Sequence, residues 1–188
     1  GRHDVGVAVD GEASQRRLGL SSGFAAIDDY LPWQGWPLGA MTEILTTDSG
    51  RGELSLLLPA LARRTDSQHQ IVVIGAPHAL YAAGLQHAGV NPHRVQQVGY
   101  AVTGSSGGSN ASANSRSRHI DALWAAEQVL KSGSAGAVLL WSRHCAPDAL
   151  RRLHLAVLQQ DTALFHFREP DAATRASPAW LRLKLDSD

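Results

Sequence analysis

Two rhythms of apolar and polar positions alternate along this chain from Leu20 onward. Short apolar runs are separated by stretches in which apolar residues return every third or fourth position. The first rhythm marks strands and the second marks amphipathic helices. Strands are predicted near Met41–Leu45, Ile71–Gly75, Val95–Tyr100, Ala137–Ser142, Ala163–Arg168 and Trp180–Leu185. Ile71-Val72-Val73-Ile74 is an unbroken β-branched run, as expected of a parallel strand covered on both faces. A helix is predicted from Leu54, Leu57, Leu58 and Leu61, with Pro59 kinking it or marking its start. Pro77 to Gly89 is a second, closed by the glycine. Ile120, Leu123, Trp124, Val129 and Leu130 mark a third, with Asp121 in its first turn, Lys131 in its last and Gly133 as its stop. Leu150, Leu153 and Val157 mark a fourth, with Pro147 and Asp148 at its start. Strands alternating with helices predict an α/β domain, a mostly parallel twisted sheet flanked by crossover helices.

Two stretches carry neither rhythm. Residues 1–19 are polar and glycine-containing and are expected to be a flexible N-terminal segment. Residues 103–118, rich in Ser, Gly and Asn, have almost nothing to bury and are expected to form a mobile loop. The remainder, 20–186, is expected to be one domain without internal repeats.

The stretch from Leu20 through Gly35-Trp36-Pro37 to Thr42-Glu43-Ile44-Leu45 reads like the entry to a RecA-type nucleotide-binding core, whose next segment is a phosphate loop. Such a loop, G-x-x-x-x-G-K-[ST], cradles phosphate with backbone N–H groups, neutralises it with a lysine and holds magnesium through a hydroxyl. Here the register after Leu45 puts Thr46 at the first glycine, Arg51 at the second, Gly52 at the lysine and Glu53 at the hydroxyl. Shifting by one gives Gly50-Arg51 the Gly-Lys slots but leaves Gly52 at the hydroxyl. Neither register works, and a carboxylate at Glu53 would repel phosphate from a helix N-terminus. The chain has two lysines, Lys131 and Lys184, neither near a glycine-rich loop. Thr46 to Glu53 is therefore read as a structural turn. The strand that would end in a magnesium-orienting aspartate ends instead in Trp141, read as a core or interface residue. No catalytic activity and no cofactor are expected.

Charge and composition narrow the partners. Apolar residues make up 44% of 188, enough for a sizeable core, and 17 Lys+Arg balance 17 Asp+Glu. With no global positive field, DNA contact is expected to be weak, local or indirect. The single cysteine excludes an intrachain disulfide and fits a reducing compartment. No run is long and apolar enough to span a membrane and no signal-peptide core is visible, so a cytoplasmic protein without membrane contact is expected.

Other chemistry is thinly represented. Nine histidines show no metal-ligand spacing. Cys145 beside His144 lacks an orienting third group and is read as a half-buried cysteine. Asp28 is read as closing the entry segment, and Glu43 and Glu127 as polar anchors. Trp124 and Trp180 are read as core. Trp33 and Trp36 flank Gly35 in a proline-containing connection, where partly exposed indoles suit protein contacts. Together with Arg151 and Arg152 they are the candidate interaction residues.

Longer stretches resemble one family. The entry Leu20 to Asp28, Gly35-Trp36-Pro37, Thr42 to Leu45, Gly52-Glu53-Leu54 through Ala62, Ile74 to Pro77, Asp121 through Gln128, Leu150 through Ala156 and Ser177 through Leu183 resemble ImuA, the RecA-like accessory proteins of bacterial translesion synthesis. The resemblance spans nearly all of Leu20 to Leu185. It implies a RecA-like fold without activity of its own, induced in the SOS response to DNA damage. It also implies association with RecA and with an ImuB-type Y-family polymerase homologue, in a mutasome with a DnaE2-type polymerase. SulA, the SOS inhibitor of division that binds FtsZ, belongs to the same superfamily and is the alternative. The Leu20 to Gly39 entry favours ImuA.

Overall fold

The computed structural model describes residues 19–47, 52–100, 111–142 and 145–185. A two-stranded antiparallel ribbon of β1 (Gly19–Leu20) and β2 (Trp36–Pro37) encloses the short α1 (Ala25–Asp28). Then follow β3 (Ala40–Thr46), α2 (Leu58–Asp66), β4 (Gln70–Ala76), α3 (Ala82–His87), β5 (Val95–Tyr100), α4 (Ala111–Ser132), β6 (Ala135–Trp141), α5 (Pro147–Val157), β7 (Ala163–Arg168) and β8 (Leu181–Leu185). The last six strands form one sheet in the order β5-β4-β6-β7-β3-β8, every pairing parallel. The predicted α/β architecture is therefore present, with helices on both faces.

Side chains alternate across the sheet, so each strand feeds two cores. Ile44, Val73, Leu139, Phe165 and Leu181 pack with Leu57 and Leu61 on the α2 side. Met41, Val72, Leu140 and Leu164 pack with Leu130 of α4 and Leu153 and Val157 of α5 on the other. Each such side chain contributes about 1.5–3 kcal/mol by leaving water.

Pro59 stands in the first turn of α2, so of the two roles expected of it the structure shows the start and not the kink. Other sequence expectations need correction. Only Ala82–His87 of the predicted Pro77–Gly89 helix is helical, and none of its residues is fully buried. The helix α4 begins at Ala111, so residues 111–118 of the expected loop are helical and Asp121 lies mid-helix, not in its first turn. Residues 103–110 and 1–18 lie outside the described residues.

The tryptophans trade places. Trp36, expected to be partly exposed, is fully buried with its ring edge on Phe165, centroids 5.6 Å apart. Trp124, expected in the core, is 64% exposed. The sheet-facing stripe of α4 is Ala122, Ala126 and Leu130, which turns Trp124 outward. Trp124→Ser is accordingly expected to shift stability by no more than about 0.5 kcal/mol in chemical denaturation.

Candidate functional site

Because all six strands run the same way, their carboxyl ends share one rim, where open α/β sheets usually hold ligands. At that rim β3 ends at Thr46. Gly50 and Arg51 lie outside the described residues. Glu53 is buried and engaged, and α2 begins only at Leu58, after turns closed by Ser55 N–H to Gly52 O and Leu57 N–H to Leu54 O, each 2.8 Å. Glu53 therefore does not sit at the helix N-terminus, as its sequence position suggested.

Along the same rim, with β7 between it and β3, β6 ends in Trp141, whose ring lies flat on Phe167 of β7, centroids 4.1 Å apart and planes 5° from parallel. On the other side of β6, Gly75 of β4 lies close to the Trp141 backbone: its φ is +67°, and a Cβ there would stand 2.8 Å from the Trp141 carbonyl oxygen. The position read as a lost acid is thus filled by a stacked, nearly buried indole.

The opposite face of the same rim carries a buried polar cluster. Glu43 of β3 is fully buried and accepts hydrogen bonds from Arg168 Nη1, Ser177 Oγ and Arg182 Nε, each 2.8 Å. Arg182 also donates to the Ala172 and Arg175 carbonyls, holding the 3-10 turn at Pro170–Thr174 against β8. Beside this cluster, Ser142 Oγ and His166 Nε2 are 2.7 Å apart, both residues buried. Burial, reinforced by the Arg168 charge, lowers the His166 pKa to about 3. His166 Nδ1 has no hydrogen-bond partner among the described residues. The pair therefore lacks both solvent access and the orienting third group that a serine nucleophile needs.

Cys145, half-buried nearby, is pushed up to about 11 by burial, against the pull of Arg168. Its thiol stays protonated at neutral pH, the opposite of a reactive cysteine. Among the described residues no group of three His, Cys, Asp or Glu side chains could hold a metal.

Glu43 and Glu127 are the polar anchors expected of them. Glu127 on α4 accepts from Lys131 at 2.6 Å and from Arg152 on α5 at 3.1 Å. The Lys131 hydrogen bond, with Arg152 behind it, holds its carboxyl below the ordinary value against the effect of burial. Asp28 does close the entry segment, accepting from Ser21 Oγ at 2.7 Å and Ser22 N–H at 2.8 Å. Sequence reasoning missed Ser142, His166, Arg168, Ser177 and Arg182. The available signal was a set of charged or polar residues at core-facing strand positions.

The structure places the four interaction candidates in different settings. Trp33 stacks on Trp180, centroids 5.6 Å apart, and Trp180 meets His154 of α5 at 6.4 Å. All three are half-buried, which corrects Trp180 from core to partly exposed. Arg151 lies one helical turn before His154 and Leu155 beside it, both exposed. The result is an aromatic surface rimmed by one guanidinium. Trp36 and Arg152 do not belong to it: the first is core, the second is tied to Glu127.

No protein-family model matches the chain, and no curated protein matches it. Among solved structures it is similar to SulA from Pseudomonas aeruginosa, with 20% sequence identity and a TM-score of 0.48, over 68% of this chain and 97% of that one. Among the described residues no helix is long and apolar enough to cross a membrane.

Proposed function

We propose that this chain is a catalytically silent RecA-like adaptor of the SOS-induced translesion machinery, binding RecA and an ImuB-type partner in the cytoplasm. The observation that carries the silent part is Trp141, stacked flat on Phe167 where a nucleotide-hydrolysing core of this architecture needs an acid for magnesium. A phosphate-loop stretch without lysine supports it. The resemblance of Leu20 to Leu185 to ImuA supplies the partners, and the Trp33–Trp180–His154 surface with Arg151 supplies an aromatic and arginine anchor of the kind that dominates protein contacts. A core that keeps its shape without the ATP switch docks and stays.

Pull-down with purified RecA and with an ImuB-type protein tests the reading. Capture of either is expected, weakened at least tenfold by Trp33→Ala combined with Arg151→Glu, with no Mg·ATP turnover. Failure to capture both, or steady phosphate release, ends the proposal. Capture of FtsZ alone transfers the chain to the SulA-type alternative.

A further inference from the structure

Between the buried residues Ala76 and Val90 the chain leaves the core. No residue from Pro77 to Gly89 is buried, and only Pro77, Leu80, Leu85 and Ala88 are half-buried. Yet this segment, which contains α3, covers part of the core. Leu80 and Leu85, with Leu54, Leu58 and Val95, line a cleft beside α2 whose every lining side chain is aliphatic.

The polar ties of the segment are few. The turns of α3 close locally, through Leu85 N–H to Tyr81 O, Ala88 N–H to Gly84 O and Val90 N–H to Leu85 O. Among the described residues, its hydrogen bonds to distant parts of the chain run through one side chain. Gln97 of β5 accepts from Leu80 N–H at 3.0 Å and donates to the His78 carbonyl at 2.9 Å. Gln97 pairs in register with Val73, which sets its side chain on the α2 face. Both ends of the segment are fixed. Ala76 pairs with Tyr100 in the sheet, and Val90 is buried, with Asn91 N–H on Thr65 Oγ1 at 3.2 Å. A stretch with little buried apolar surface and few tertiary hydrogen bonds opens at a lower free energy than the core around it.

We propose that Pro77–Gly89 is a lid that lifts as one unit while the sheet stays folded, with Gln97 as the clasp that holds it shut. Shut, it keeps Leu54, Leu58 and Val95 half-buried. Lifted, it uncovers them together, an aliphatic patch that exists only in the open state. The lid is independent of the adaptor reading, because its opening is measured in this chain alone.

Native-state amide hydrogen exchange of the full chain, resolved by NMR at a pH where exchange reports the opening equilibrium, tests this. The Leu80, Leu85 and Ala88 amides are expected to be protected roughly a hundredfold less than those of Val73 and Leu139 in the central strands. They are also expected to share one urea dependence, shallower than that of the strands because less surface is exposed. Gln97→Ala removes both clasp bonds and is expected to speed lid exchange roughly tenfold. Gln97→Val, which suits a strand, is expected to do the same and decides the matter if Gln97→Ala misfolds. Val157→Ala, in the core on the opposite face, is expected to speed Val73 and Leu139 but leave the lid amides at parent rates, because Val157 stays packed while the lid is up. Lid amides as protected as the strands, or each with its own urea dependence, overturn the proposal. So do lid rates unmoved by loss of Gln97, or raised by Val157→Ala as much as those of the strands.

Discussion

Glu43→Ala is expected to lower the stability of this protein by about 3–5 kcal/mol, the usual cost of removing one partner from a buried ion pair. Arg168 is the reason. Its side chain is 1% exposed, and its 2.8 Å bond to Glu43 is its ion pair in the core. Without the carboxylate, a buried guanidinium is stranded with no other ion-pair partner among the described residues. Arg182 suffers less, being 19% exposed and still bonded to the Ala172 carbonyl. The diagnostic comparison is Glu43→Ala with Arg168→Met added. Removing both charges leaves no stranded ion, so the pair of changes is expected to cost less than Glu43→Ala alone. Urea denaturation reads both; a single-variant loss under about 1 kcal/mol would mean that Arg168 escapes to solvent.

That cluster also shows what a sequence can and cannot announce. The inner strands were legible because burial on both faces leaves largely apolar runs, and β7 falls where it was predicted. Helix α5 was legible from its period and from Pro147 at its start. The early start of α4 was not, since Ala111 to Arg118 has no apolar period and composition alone suggested a loop. Trp124 was misplaced because the inner stripe of α4 uses Ala122 and Ala126, side chains too small to outweigh a tryptophan in a periodicity count. Trp36 was misplaced because its place in the core depends on β1 and β2 folding onto the sheet, a long-range event. Glu43 was visible as a polar residue within an apolar run, but its partner Arg168 lies 125 positions away, and nothing local connects them. The aromatic surface is similar: Trp33 was visible, and its stack on Trp180 beside His154 was not.

Acidification should destabilise the protein through His166 well before its carboxylates titrate. Buried on the face of β7 against Ser142, the ring binds a proton in the folded state only near pH 3, whereas the unfolded chain binds it near 6.5. Below pH 6.5 the unfolded state therefore holds more protons than the folded one, and stability falls as pH falls. The loss begins near 6.5, reaches about 2 kcal/mol at pH 5, and totals on the order of 5 kcal/mol at pH 3, at 1.36 kcal/mol per unit. Asp28 and Glu127, both held below their ordinary values, add to the loss only at lower pH, which leaves the interval from 6.5 to 5 for the histidine. His166→Gln keeps a hydrogen-bonding partner for Ser142 and removes the titrating group. Urea midpoints at pH 7, 6 and 5 are expected to converge between the two proteins, the parent losing about 2 kcal/mol more than the variant over this range. Parallel slopes would mean that the folded protein takes the proton readily, which requires water to reach a ring that the sheet and the Ser142 hydroxyl now enclose.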